Sequence, residues 1–295
     1  MRILKKGMVF VLLFGALLSA TACGGSSGDN SATSNNTSST VSSVSSANSS
    51  EIKEISDESS NTSAEESTQQ ESSKEESTAT SGEAVDAAWF DDAVFVGDSV
   101  TLKLSYYCDD NTDALGNVQF FCAGSLGYTN ALWDLDREDA VHPTYKGTTY
   151  LSADCASVTG ASKVFVMLGM NDVGLYGVDG ALESAETLLN NITANSPDAV
   201  IYVQSVTPIM EDAQGSTWNN ETIRTFNEKL KELCKEKGYG FLDVYSVMAD
   251  ENGNLHSEYC SDPISTGGMG IHFTDEACKA WTDYLKANVS SAMNY

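Results

Sequence analysis

The chain has 295 residues, of which 41% are hydrophobic and 20% are charged, and its formal net charge is −26. This excess of acidic residues disfavours a phosphate-binding basic surface, so we expect no nucleic-acid partner. Ser, Thr, Asn and Glu are concentrated in the first third of the chain, so the packed part must be shorter than the whole.

Residues 1–22 have the pattern of a bacterial export signal. They begin with three basic residues, Arg2, Lys5 and Lys6. An apolar run over 8–18 follows, and it is too short to span a bilayer comfortably. Small residues before Cys23 and a polar segment after it resemble the lipobox of bacterial lipoproteins, which implies a lipid anchor at Cys23. The alternative is a plain secretory peptide in which Cys23 is incidental.

The segment 23–83 has the composition of a tether. Within it, residues 24–82 include 21 Ser and 7 Thr, with no Pro and no aromatic residue. Such a segment cannot bury enough apolar area to offset the entropy lost on ordering, so we expect a disordered spacer. The remaining residues, 84–295, have the length of a single domain.

Within 84–295, short apolar runs alternate with segments of helical periodicity. The apolar runs predict five strands, over 93–96, 118–122, 163–168, 199–206 and 240–244. The other segments predict four helices, over 100–107, 179–195, 219–237 and 274–288. Strands separated by helices indicate an α/β fold with a five-stranded parallel sheet covered on both faces. Ligands of such sheets bind at the carboxyl ends of the strands.

The first predicted strand ends in a Gly-Asp-Ser sequence that places Ser99 on the turn into a helix. A hydroxyl there lies near backbone N–H groups that favour an anion. Gly97 allows a close approach to this turn. The alternative is that Ser99 is simply the N-cap of the helix.

Three further segments follow strands or precede a helix at the same edge of the sheet. The second strand is followed by Gly124 and Gly127, the third by Asn171 and Asp172, and His272 precedes the last helix. Each feature alone has an ordinary structural explanation, either as a turn or as an exposed side chain.

These four blocks, in this order, resemble the SGNH or GDSL-type hydrolases over residues 90–295. The resemblance implies a three-layer α/β/α, flavodoxin-like fold and a serine esterase without a cofactor. It implies that Ser99 is the nucleophile and His272 is the base. The oxyanion donors would be the Ser99 N–H, the Gly127 N–H and the Asn171 side chain, with Gly124 as the less favoured glycine.

The chemistry of these residues agrees with the implied roles. A Ser hydroxyl becomes a good nucleophile when a base removes its proton, and His suits that task near neutral pH. Backbone N–H groups and an amide can stabilise the negative oxygen of a tetrahedral intermediate. Asn171 is favoured over Asp172 because an ionised carboxylate cannot donate a hydrogen bond.

One position departs from the family pattern. An Asp usually stands three residues before the catalytic His, and here that position is Met269. Asp262 or a backbone carbonyl remains to orient the His272 ring, and Asp275 is expected to serve the dipole of the last helix instead. A loss of efficient catalysis is a further alternative.

The remaining titratable residues indicate no metal site. Outside Cys23 the chain has six Cys, which permit disulfides or buried thiols. The spacing of Cys260, His272 and Cys278 fits no usual zinc pattern. The acidic runs over 109–113 and 250–254 lack the Gly and Glu of a calcium loop.

The sequence therefore predicts a serine esterase held on the outer face of the bacterial cell membrane, which acts on an ester-bearing small molecule or carbohydrate such as an O-acetylated cell-wall polymer. An acyltransferase with the same site is one alternative, and a glycan-binding lipoprotein without turnover is another. We expect a monomer. Five aromatic residues are candidates for stacking on sugar rings: Trp89, Tyr128, Trp133, Tyr176 and Trp218.

Overall fold

The computed structural model describes residues 83–295. The predicted export signal, the anchor at Cys23 and almost all of the predicted tether lie outside these residues. No helix within the described range has the length and apolar character that a membrane span requires.

The described residues form seven strands and six α-helices. The strands are β1 (Ala93–Gly97), β2 (Gln119–Cys122), β3 (Thr144–Tyr145), β4 (Thr148–Thr149), β5 (Lys163–Met167), β6 (Val200–Gln204) and β7 (Gly240–Leu242). The helices are α1 (Ser99–Asp110), α2 (Cys155–Thr159), α3 (Val173–Asn195), α4 (Asn220–Lys237), α5 (Val244–Met248) and α6 (Asp275–Asn288).

Five of the strands form one parallel sheet in the order β2-β1-β5-β6-β7. This is the flavodoxin-like order, in which the chain direction across the sheet reverses at β1. The strands β3 and β4 pair separately as a small antiparallel hairpin. The predicted α/β fold with a five-stranded parallel sheet is thus confirmed.

Alternate residues of the central strands enter two separate cores, which defines the three layers. Val94 and Val96 of β1 pack on one face with α3 and α4, while Phe95 packs on the other face with α1 and α6. On that second face Phe165 of β5 stacks between Phe95 and Tyr202, with ring centroids 4.6 and 4.7 Å away. Burial on both faces explains why these strands read as continuous apolar runs.

The elements differ from the predicted ones mainly at their ends. Helix α3 begins at Val173 rather than at 179, because its first turn precedes a kink at Gly177, where φ is 69°. The last strand ends at Leu242 because Asp243 caps the short helix α5. Helices α2 and α5 and the hairpin were not predicted, since each is too short to show a periodicity.

Candidate active site

The Ser99 hydroxyl lies at the carboxyl end of β1, in the first turn of α1. Asp98 is the N-cap of this helix, and its side chain accepts the Val100 N–H at 2.9 Å. The alternative that Ser99 caps the helix is therefore wrong, and its hydroxyl is available for another partner. Gly97 accommodates Thr101 of the same turn, because a Cβ at position 97 would lie 2.0 Å from the Thr101 Oγ1.

His272 is the partner of the Ser99 hydroxyl. Its Nε2 lies 3.1 Å from the Ser99 Oγ, although the two residues are 173 positions apart in the chain. Both side chains are partly exposed, so the pair lies at the surface of the domain. This distance is within the range at which a base can remove a hydroxyl proton.

Asp262 occupies the far side of the His272 ring. Its Oδ2 lies 2.6 Å from the His272 Nδ1. Because a carboxylate can only accept, this contact places the ring proton on Nδ1 and leaves the Nε2 lone pair directed at Ser99. Of the two orienting groups that the sequence left open, the structure brings Asp262 to the ring.

The loop between Asp262 and His272 explains how a residue ten positions upstream reaches the ring. Cys260 and Phe273 form an antiparallel bridge, and the Ser261 N–H donates to the His272 carbonyl at 2.8 Å. The intervening chain turns back on itself between them. Gly268 makes this turn possible, since a Cβ there would lie 1.9 Å from the Asp262 backbone oxygen.

The Asp262 carboxylate is also bound by the backbone of its own loop. Its oxygens accept the N–H groups of Met269 at 3.0 Å, Ile271 at 3.1 Å and His272 at 2.9 Å. Burial alone raises the pKa of Asp262, but the hydrogen bonds from the His272 ring and these N–H groups outweigh it and hold the pKa below its usual value. Asp262 is therefore ionised at neutral pH.

Met269 stands three residues before His272, and its side chain makes no hydrogen bond at the site. That side chain is 48% exposed, and only its backbone N–H contacts Asp262. Asp275 pairs with Lys103 at 2.5 Å on the surface, in the first turn of α6, and does not contact His272.

Asn171 and Asp172 follow β5 and have different surroundings. The Asn171 Nδ2 donates to the Leu126 carbonyl at 3.0 Å and lies 3.4 Å from the Asp98 Oδ2. Asp172 is buried, and its carboxylate accepts the N–H groups of the loop after β2. Asn171 thus places a hydrogen-bond donor near the turn that carries Ser99. Asp172 instead binds the backbone of the loop after β2.

The two glycines of the loop after β2 lie in different environments. Gly124 is exposed, whereas Gly127 is buried beside Asp172. The Gly127 N–H donates to the Asn130 Oδ1 at 2.7 Å. The Ser99 N–H, by contrast, lies in the first turn of α1, where no intrahelical acceptor exists. The contact of Asn130 with Gly127 was not predicted from the sequence, although the spacing of three residues between them is that of a capping box.

Asp98 is the second carboxylate at the site, and its pKa is shifted in the opposite direction from that of Asp262. Burial raises the pKa of Asp98 to about 6, and the nearby charge of Asp172 adds to this effect. The Val100 N–H and the charge of His272 act in the opposite direction and compensate only in part.

The other predicted features take no part in the contact between Ser99 and His272. The six Cys of the described range are all free thiols. Within residues 83–295, no three His, Cys, Asp or Glu side chains come together in a manner suited to a metal ion. Tyr128 is fully buried, and of the five aromatic residues considered for sugar stacking only Tyr176 is highly exposed, at 45%.

Comparison of the sequence with known protein families identifies one that matches. The model of the GDSL-like lipase/acylhydrolase family matches residues 95–280, well over half of the chain. No curated protein matches the sequence.

A search of solved structures finds proteins that resemble this chain in fold. A Streptococcus pneumoniae protein provisionally assigned as a platelet activating factor has 22% identity and a TM-score of 0.50, with 66% of this chain and 82% of that chain covered. A GDSL-like lipase from Bacteroides thetaiotaomicron has 17% identity and a TM-score of 0.47, with 68% and 86% covered. A lipase/acylhydrolase from Enterococcus faecalis has 14% identity and a TM-score of 0.47, with 66% and 93% covered. The first of these likenesses shows the shared α/β fold.

The raised pKa of Asp98 predicts how stability depends on pH. Because the folded pKa of about 6 lies above the ordinary value of 3.8, folding favours the protonated carboxyl, and the contribution of Asp98 to the stability of the wild type falls as the pH rises from about 4 to about 6. Asn at this position has no proton to lose. The free energy of unfolding of Asp98→Asn, relative to wild type, should therefore rise by about 2 kcal/mol between pH 4 and pH 7.

Urea unfolding of the full chain at several pH values measures this difference. Ser99→Ala, which leaves the Asp98 carboxylate in place, is the control and should follow the wild-type pH profile. Parallel curves for Asp98→Asn and wild type would contradict the prediction.

Proposed function

Since the chain belongs to the GDSL-like lipase/acylhydrolase family, we propose that Ser99, His272 and Asp262 form the catalytic triad of its ester hydrolysis. The observation that carries this assignment is the continuous contact from the Ser99 Oγ to the His272 Nε2, at 3.1 Å, and from the His272 Nδ1 to the Asp262 Oδ2, at 2.6 Å. The order of nucleophile, base and carboxylate is that of a serine hydrolase.

The reaction follows from these contacts. The His272 Nε2 accepts the Ser99 proton as the Oγ attacks the ester carbonyl, and the resulting imidazolium is stabilised by the ionised Asp262. The imidazolium then donates this proton to the leaving alcohol, which departs and leaves an acyl group on Ser99. Water, deprotonated by His272 in the same way, attacks the acyl group and releases the acid.

The negative oxygen of each tetrahedral intermediate requires hydrogen-bond donors. The Ser99 N–H at the start of α1 is one, and the adjacent helix terminus favours negative charge. The Asn171 Nδ2 is the second, held in place by the Leu126 carbonyl. The Gly127 N–H is the third donor that we assign to the oxyanion. Removal of one such donor typically lowers turnover by about 10²–10³.

The substrate that we propose is an ester on a large carbohydrate, such as an O-acetyl group of a cell-wall or surface polymer. The support is the open position of the reactive pair: Ser99, His272 and Asn171 are all partly exposed. An open site accepts an ester that remains attached to a polymer. Leu175 and Tyr176, a few residues after Asn171, are exposed at 77% and 45% and supply an apolar and an aromatic surface.

We further propose that the protein acts outside the cytoplasm as a lipoprotein anchored at Cys23. The support is the basic start, the short apolar run and the small residues before Cys23. The Ser- and Thr-rich segment 24–82 would then separate the domain from the membrane by roughly 40 Å, on the root-mean-square length of a flexible chain.

The nucleophile assignment predicts that Ser99→Ala abolishes esterase activity. Hydrolysis of p-nitrophenyl acetate by the full chain should fall by a factor of at least about 10³ in Ser99→Ala and by a similar factor in His272→Ala, because the two act as one unit. Release of acetate from O-acetylated xylan and peptidoglycan by the same proteins would then test the substrate class. A His272→Ala protein with near-normal turnover would remove His272 from the mechanism.

The orienting role of Asp262 predicts a selective loss of kcat. Asp262→Asn should lower kcat on p-nitrophenyl acetate by about tenfold or more with little change in KM, because an amide no longer enforces the reactive ring tautomer. Asp275→Asn is the matched control, since this carboxylate lies nearby in the chain but pairs with Lys103. A normal kcat in Asp262→Asn would show that another group orients the ring.

The anchor predicts a difference between two cysteine variants. In a bacterial host, the full chain should incorporate labelled palmitate and sediment with membranes, while Cys23→Ser should do neither. Cys108→Ser, which alters a buried thiol of the domain, should keep the label. Equal labelling of wild type and Cys23→Ser would contradict the anchor.

A further inference from the structure

The side chain of Asn130 accepts a hydrogen bond from the Gly127 N–H, which is the third donor proposed for the oxyanion. Its amide oxygen accepts the Gly127 N–H at 2.7 Å, and its amide nitrogen donates to the Ser125 carbonyl at 2.8 Å. Ser125 has a left-handed backbone with φ of 62°, which turns the loop so that Gly127 comes within reach of Asn130. In the free protein the Gly127 N–H therefore already has an acceptor.

The backbone at Gly127 is also held by contacts that do not involve Asn130. The Asp172 carboxylate accepts the N–H groups of Tyr128 at 2.8 Å and Thr129 at 2.9 Å. The same carboxylate lies against Gly127, where a Cβ would come within 2.6 Å of its Oδ2. Loss of the Asn130 contact thus leaves the Gly127 N–H in place and open to another acceptor.

Asn130 can leave this position at low cost. Its side chain is partly exposed at the start of a short 3-10 helix, Asn130–Leu132, so water can replace both of its partners. Its two contacts are hydrogen bonds between neutral groups, which contribute little net stability when water is the alternative.

A single N–H cannot serve two strong acceptors at once. The neutral amide oxygen of Asn130 is similar in strength to an ester carbonyl, so exchanging one for the other gains little when substrate binds. The oxyanion of the tetrahedral intermediate is a stronger acceptor, because hydrogen bonds to charged groups are roughly twice as strong. The exchange therefore favours the transition state over the bound substrate.

Resting on the proposed esterase function, we propose that Asn130 competes with the oxyanion for the Gly127 N–H and is displaced from it as the tetrahedral intermediate forms. In the free protein Asn130 keeps a buried donor satisfied. During the reaction its departure provides the third donor, so the side chain sets how readily this donor is released.

Two variants of equal size separate this competition from a structural role. Asn130→Leu removes the acceptor, while Asn130→Asp retains an acceptor and makes it negatively charged. Both variants lose the donor to the Ser125 carbonyl, and they present either an apolar group or a carboxylate to the Gly127 N–H. Asn130→Ala repeats the first change should the leucine variant fold poorly.

Kinetics of the full chain on p-nitrophenyl acetate provide the first measurement. We expect Asn130→Leu to raise kcat/KM by about threefold to tenfold, the equivalent of one neutral hydrogen bond, because neither the substrate nor the oxyanion must then displace an acceptor. We expect Asn130→Asp to lower kcat at least tenfold, because the carboxylate holds the N–H and repels the oxyanion. KM should fall in Asn130→Leu, because the ester carbonyl meets an unoccupied N–H, and should change little in Asn130→Asp.

Inhibition by phenylboronic acid provides a measurement that a loosened loop would not reproduce. The Ser99 Oγ forms a bond to boron, its proton passes to His272, and the tetrahedral adduct carries the negative charge. The inhibition constant should fall in Asn130→Leu and rise in Asn130→Asp. A purely structural role for Asn130 would raise it in both variants alike.

The outcomes also separate this proposal from the proposed function. Ser99-dependent hydrolysis in wild type, with equal impairment of the leucine and aspartate variants, would overturn the competition and leave the esterase assignment intact. Activity that appears only in Asn130→Leu would support the competition strongly. Absence of Ser99-dependent hydrolysis from wild type and from both variants would overturn both proposals.

Discussion

The site depends on one repeated interaction, in which an aspartate carboxylate accepts backbone N–H groups of the loop beside it. Asp98 accepts at the start of α1, Asp172 accepts from the loop after β2, and Asp262 accepts three N–H groups of the loop before α6. A parallel sheet brings the loops to a common edge, but it does not fix their conformations. The carboxylates supply that constraint, because hydrogen bonds to ionised acceptors are stronger than those between neutral groups.

The three carboxylates differ in the direction in which their pKa values are shifted. Asp262 is held ionised by its N–H groups and by His272, which suits a residue that must stabilise an imidazolium. Burial instead raises the pKa of Asp98, and burial also raises the pKa of Asp172. The pKa of the carboxylate that contacts the base is thus lowered, while the pKa values of the two that shape the surrounding loops are raised.

The five strands along the chain and the position of Ser99 were predictable from local patterns, since apolar runs buried on two faces and a Gly-Asp-Ser turn are contained within a few residues. The group that orients the His272 ring was not decidable from the sequence, because Asp262 reaches His272 only through the antiparallel bridge between Cys260 and Phe273, which no local pattern records. The early start of α3 was missed because glycine at 177 interrupts the helical pattern there. The occupied N–H at Gly127 depends on a side-chain rotamer at Asn130, which a sequence does not specify.

The hydrogen bonds that hold the Asp262 loop have a consequence for how this protein diversifies. Apart from the His272 ring and the Cys260 thiol, the donors to the Asp262 carboxylate are main-chain N–H groups, and Gly268 is the position where a side chain is excluded by the Asp262 backbone. The side chains at Ile264 and Met269 point outward and take no part in these bonds. Their identities are therefore free to change without disturbing the proton-transfer geometry. Evolution can accordingly alter the rim of this site for a new acyl or alcohol group while the machinery beneath it stays constant.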